Sequence, residues 1–210
     1  MTVCGKPATS NSHRAAYLEP RTARGRRTQR ALLDAAAAEF GEKGFHDSSI
    51  VSITSRAGVA LGTFYTYFES KDALFRALVG DLSDQVRATV IQSLEAPSED
   101  SLAREGDAFA AFLQFARAHK EVYRIIDEAE FVAHKEWQAH YENVAERILG
   151  RLSEGEALGE IVGPIDEAHA WAIMGMNVFL GLRYGIQKPH RPIEELAEIA
   201  NGFIRRGLGR

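Results

Sequence analysis

Along almost the whole chain, apolar side chains recur at steps of three and four residues, the period that gathers them on one face of a helix. Leu32, Ala35, Ala36 and Phe40 form the first such row, in an alanine-rich stretch that starts at Thr28 and ends at Gly41 and Gly44. Ile50, Ile53 and Ala57 form the second, with Asp47, Ser48 and Ser49 ahead of it as N-cap oxygens. Leu74, Leu78, Leu82, Val86, Val90 and Leu94 repeat every four residues, so one long helix is expected over about 71–94, capped by Ser70. Pro97 stops it, and Ser98, Glu99 and Asp100 restart a helix with the inner row Leu102, Phe109, Phe112 and Leu113. Further helices are expected at about 120–128, at 133–153 on the row Trp137, Tyr141, Val144 and Ile148, and at 166–184, apolar on nearly every side. Pro192 opens a last one. No useful period-two alternation occurs, so the fold class is all-α with about nine helices.

Between the second row and the long helix lies Gly58-Val59-Ala60-Leu61-Gly62-Thr63-Phe64-Tyr65-Thr66-Tyr67-Phe68, followed by Lys71. Two short helices joined at a glycine outline a helix-turn-helix. Val59, Phe64 and Phe68 can turn inward, while Leu61, Gly62, Thr63, Tyr65, Thr66 and Tyr67 present small, hydroxyl and phenolic groups on the other side. That second face suits DNA. Gly62 removes a side chain where the helix would come closest to a duplex, Thr63 and Thr66 can bond bases or phosphates, and Leu61 can offer apolar contact alone. Tyr67 and Lys71 are placed as phosphate clamps.

Charge refines this picture, because a net charge of −4 looks wrong for a nucleic-acid binder. Residues 1–80 carry 11 Lys/Arg against 7 Asp/Glu, a balance of +4, and residues 81–210 carry 14 against 22, a balance of −8. Phosphate attraction is therefore local to a basic N-terminal part. Arg21, Arg24, Arg26, Arg27 and Arg30 run into the first helix and read either as a DNA-contacting arm or as a solvated charge run. Residues 1–22 lack periodicity and are expected to be a disordered tail, followed by a DNA-binding domain at 23–70 and a second domain at 71–210. A lone cysteine, Cys4, excludes an intramolecular disulfide, and no apolar stretch reaches the ~18 residues of a membrane span. These features point to a cytoplasmic protein with no membrane partner.

The 57–68 segment, with Lys71 and Leu74 after it and Ile53, Phe45, Gly44 and Phe40 before it, resembles the DNA-binding domain of the TetR family over about residues 26–79. The resemblance implies a homodimeric transcriptional repressor with a palindromic double-stranded DNA operator, a linking fourth helix and a C-terminal body that senses a small-molecule effector. Carried over by position, it implies DNA contacts at Ser49, Leu61, Gly62, Thr63, Tyr65, Thr66, Tyr67 and Lys71, to which the basic segment adds Arg26 and Arg27. Thr54 stands where the family usually has alanine.

In the body, Phe112, Tyr123, Trp137, Tyr141, Trp171 and Met174 are expected to help line a ligand pocket, with Asn177 and Arg183 as polar groups within an apolar helix that need partners. The segments at 123–131 and 175–184 faintly resemble acyl-CoA-responsive TetR repressors, which implies basic groups for the ligand's phosphates at Arg124, Arg183 or Lys188. An aromatic or drug-like effector fits nearly as well. Small residues Ala168, Ala172, Gly175 and Gly181, with the apolar face of the last helix, suggest a homodimer through the last two helices. A helical-bundle metal enzyme is the competing reading. It rests on Glu130 with His134 and Glu136 with His140, without a second converging pair. No catalytic, metal or cofactor site is therefore expected.

Overall fold

The computed structural model describes residues 20–209. Cys4 and all of the expected tail except Pro20, Arg21 and Thr22 lie outside them. The described residues form nine α-helices and no β-strand, with one isolated antiparallel bridge between Ile161 and Gly209. The helices are α1 (Ala23–Lys43), α2 (Ile50–Ala57), α3 (Leu61–Tyr67), α4 (Lys71–Ser93), α5 (Ser101–Ala118), α6 (Glu121–Val132), α7 (His134–Ala157), α8 (Glu167–Gly181) and α9 (Ile193–Leu208). A π-helical turn, Leu182–Gln187, follows α8. Among the described residues no helix is long and apolar enough to cross a membrane.

Local caps explain where the helices begin. The Thr22 hydroxyl accepts from Gly25 N at 3.0 Å, which starts α1 at Ala23, five residues before the expected Thr28. Arg24, Arg26, Arg27 and Arg30 are thus on a helix and do not form a flexible arm ahead of it. Ser49 caps α2 in a reciprocal box with Ser52. Of the expected restart at Ser98, Glu99 and Asp100, it is Asp100 that caps α5, accepting from Ala103 N at 2.7 Å. The expected helix over 166–184 is α-helical only to Gly181, where the π-turn takes over.

The principal core joins α1 to α4 with α6. Phe40, Phe64, Phe68, Phe75, Leu32, Ile53, Leu74 and Leu78 are fully buried in it, beside Val122, Ile125 and Ala129. Phe45 and Phe75 meet edge to face at 5.0 Å, so the start of α4 packs into the helix-turn-helix and crosses the expected boundary at 70/71. Smaller cores build the body, one from Leu152, Ile161, Ala170 and Met174 and one from Phe109, Leu113, Leu196 and Ala200.

Candidate nucleic-acid interface and internal cavity

Gly58 joins α2 to α3. Its backbone is left-handed, φ 66°, and its N–H bonds the Ser55 and Thr54 carbonyls, a helix end that glycine adopts without strain. The turn aims α3 so that Phe64 and Phe68 are buried while Leu61 and Tyr65 stand 46% and 57% exposed. Gly62 and Thr66 are exposed as well, and Thr63 is half-buried. A Cβ added at Gly62 would meet nothing within 4 Å, so the helix presents open backbone there. Thr54, buried in α2, donates its hydroxyl to Val51 O at 3.0 Å.

The remaining expected contacts are more divided. Tyr67 packs against the principal core, half-buried. Ser49 is exposed but its hydroxyl already accepts from Ser52 N at 3.0 Å. Arg24, Arg26 and Arg27 are exposed on the first turns of α1 and have no acid or hydrogen-bond partner for their guanidinium groups among the described residues. Lys71 differs from expectation. Its ammonium donates to Phe45 O at 2.7 Å and Ser48 O at 2.8 Å and lies 4.4 Å from the Phe45 ring centroid. It holds the turn between α1 and α2 closed from within the protein.

Behind this domain, α4, α5, α6, α7 and α8 enclose a mostly apolar cavity of about 100 Å³. Five of the nine expected ligand residues line it: Phe112, Tyr123, Tyr141, Met174 and Asn177. Tyr123 donates its hydroxyl to Val178 O at 2.9 Å, and burial raises its pKa well above the ordinary value, so it stays neutral. The Asn177 side-chain oxygen is buried without a partner.

The other four lie elsewhere. Arg124 donates to Gly41 O at 3.3 Å and Glu42 O at 2.9 Å, the last carbonyls of α1, while neighbouring Glu128 accepts from Phe45 N at 2.6 Å. The pair docks α6 on the DNA-binding domain, because a cation satisfies helix-end carbonyls. Arg183 is exposed and bonds Gln187. Trp171 is 45% exposed on the outer face of α8, and Trp137 packs on the principal core, edge to face with Tyr141. Gly181, expected on the outer face, points inward: a Cβ there would collide with Tyr123 and Phe112.

Unanticipated from sequence are Arg87, Glu105, His140, Arg147 and Arg151 in the cavity wall. His140, Val144, Arg147 and Arg151 follow one another at steps of four, three and four, so the period that marked the apolar rows also marks this charged one. His140 is half-buried, its ring turned into the cavity wall, and desolvation lowers its pKa to about 4. Its Nδ1 lies 2.6 Å from Ser83 Oγ of α4, and Ser83 gives its own hydrogen to Val79 O at 2.9 Å. The imidazole therefore donates from Nδ1 and ties the cavity wall to α4. His134 stacks on Trp137 and, among the described residues, no three His, Cys, Asp or Glu side chains gather as a metal would need.

Residues 32–78, from the middle of α1 into α4, match the model of the bacterial regulatory proteins of the tetR family. Over 185 residues, covering 86% of this chain and 93% of its own, YdgC of Bacillus subtilis strain 168, an uncharacterized HTH-type transcriptional regulator, is 28% identical. BetI of Escherichia coli strain K12, another HTH-type transcriptional regulator, is 37% identical over 73 residues, 35% of this chain and 37% of its own. The fold is similar to that of a TetR family regulator from Marinobacter aquaeolei VT8, at TM-score 0.73 and 22% identity over 89% of this chain and 97% of that one. It is also similar to the fatty acid degradation regulator FadR of Bacillus halodurans, at TM-score 0.71 and 16% identity over 89% and 96%. A helix-turn-helix with an open outer face, the family match across residues 32–78, and relatives that are regulators rather than enzymes lead to one conclusion: the N-terminal domain matches that of the tetR family, and the chain as a whole is similar in sequence and fold to bacterial HTH-type transcriptional regulators.

Proposed function

We propose that the protein is a repressor that binds a palindromic operator as a homodimer and is released by a small, largely apolar molecule taken up in the cavity. The observation that carries this reading is the double role of α4. Its first residue, Lys71, holds the turn before the reading helices, while Val86, Arg87 and Val90 near its other end line the cavity, and Ser83 between them meets His140. A ligand that moves α7 against α4 changes the position of α3, and ligand and DNA affinities are then coupled reciprocally. Leu61, Gly62, Thr63, Tyr65 and Thr66 face the bases in this reading, with Tyr67, Arg26 and Arg27 beside the phosphates.

Dimerisation is supported by apolar surface on the last two helices. Ala168, Trp171, Ala172, Gly175 and Phe179 fall at three- and four-residue steps on the open side of α8, and Ile199 and Phe203 are exposed apolar residues of α9, with Phe179 71% and Phe203 63% exposed. The cavity's size favours a single ring or short chain over a whole acyl-CoA, whose phosphates find neither Arg124 nor Arg183 at its wall. Selection of binding sequences from random duplexes, repeated with a compound panel present, tests the reading. Two half-sites of inverted symmetry, lost with one compound class, are expected. Recovery of a single asymmetric half-site would overturn the dimer and the operator together.

A further inference from the structure

The cavity carries more charge than an apolar effector needs. Three arginines enter its wall, Arg87 from α4 and Arg147 and Arg151 from α7. Arg151 grips Glu105, itself 1% exposed, through two N–H groups, and Arg87 lies 3.4 Å from Asp84. Arg147 has neither a carboxylate at ion-pair distance nor a hydrogen-bond acceptor for its guanidinium among the described residues. It is half-buried, and desolvation, with repulsion from Arg87 and Arg151, lowers its pKa against weaker attraction from Asp84 and Glu146, neither of them at ion-pair distance. A guanidinium partly removed from water beside two others is unfavourable unless an anion arrives.

These features discriminate among ligands. A neutral apolar molecule filling the cavity would strip Arg147 of its remaining water and return nothing, and a cation would meet the Arg147 charge with Glu105 already held by Arg151 and Asp127 exposed on α6 as the one other carboxylate of the wall. An anion without an apolar part would leave the carbon-lined remainder unfilled. We propose that the cavity binds an amphipathic organic carboxylate, its ring or short chain against Phe112, Met174 and Val178 and its carboxylate on the Arg147 guanidinium. The inference rests on the reading of this cavity as the effector site.

Titration calorimetry on the full-length protein tests it, with benzoate and octanoate set against benzyl alcohol and octanol, probes of matching carbon skeleton. The carboxylates are expected to bind the unaltered protein about tenfold or more tighter than the alcohols. Arg147→Met is expected to erase that preference while leaving alcohol binding intact, and to raise the thermal midpoint of the unliganded protein by removing an unpaired charge. Arg147→Gln supplies the same readouts if the Met variant is insoluble. Alcohols that bind as tightly as carboxylates, or a preference that survives both substitutions, would overturn the carboxylate assignment while leaving the effector cavity standing. If none of the four probes binds and no compound moves operator affinity, the effector cavity falls and the carboxylate assignment with it.

Discussion

At Lys71 the ammonium faces inward, onto backbone carbonyls of Phe45 and Ser48 that no helix satisfies. Removing this donor leaves the Ser48 carbonyl without its partner and Phe45 O with only the 3.4 Å bond from Ser48 N, at a cost of about 1–3 kcal/mol. Lys71→Ala is accordingly expected to lower the urea midpoint by that order while leaving the salt slope of DNA binding unchanged; a slope reduced by about one would restore Lys71 as a phosphate contact. His140 makes a second residue-scale case. Its pKa of about 4 in the fold lies below the 6.5 of a free imidazole, so the unfolded chain takes up a proton that the folded one refuses. Stability on this account is full above pH 6.5 and falls toward pH 4, at up to about 1.4 kcal/mol per pH unit. Urea unfolding across that range should show the slope, and His140→Gln should flatten it between pH 6.5 and 4.5, before carboxylates such as Asp100 contribute. Neither environment was legible in the sequence, where Lys71 carries only its charge and His140 only its spacing from Glu136.

The helices themselves were far more legible. Rows at three and four, serine caps before α2 and α4 and the glycine after α2 all act within a few residues, so their consequences can be read from the chain alone. The departures come from caps and packing judged by a neighbour: Thr22 lengthens α1, and α8 gives way to a π-turn. On α3 the sequence separated inner Phe64 and Phe68 from outer Leu61 and Tyr65, and the structure keeps that division. The proposed role of α3 as the reading helix gives a prediction at this scale. Because a Cβ at Gly62 meets only open space, Gly62→Ala should leave the folded state as stable or slightly more so, yet weaken operator binding about tenfold or more by holding the backbone off the duplex. Unfolding and DNA titrations on one preparation would show it; unchanged DNA affinity would turn that face away from the bases.

Across the whole molecule, polar contacts add to the shared core in fastening the helix-turn-helix to the body. Arg30 of α1 reaches Asp81 of α4 at 2.8 Å, Arg124 of α6 holds the end of α1, and Lys71 closes the turn at the start of α4. Elements so joined are held in one arrangement, which suits the proposed dimer, in which two copies of α3 must keep the spacing of two half-sites. In the proposed dimer that spacing is set by the exposed apolar residues of α8 and α9. Phe179→Glu with Phe203→Glu should turn the dimer into a folded monomer in sedimentation and weaken operator binding by orders of magnitude, since both side chains lie outside the core. A dimer that persists would place the contact elsewhere.

The sequence by itself determined the helices, the inward and outward sides of the helix-turn-helix and the basic reading end, because each follows from spacing, capping and charge along a short stretch. Five cavity residues were also within its reach, since large side chains of amphipathic rows must converge somewhere in the interior. Only the tertiary structure decided where each charge goes. Lys71 and Arg124 serve carbonyls of the helix-turn-helix, and Arg151 has its acid while Arg147, four residues before it on the same helix, has none at ion-pair distance among the described residues. A charged side chain takes its role from the partner that desolvates or neutralises it, and here those partners stand tens of residues away along the chain.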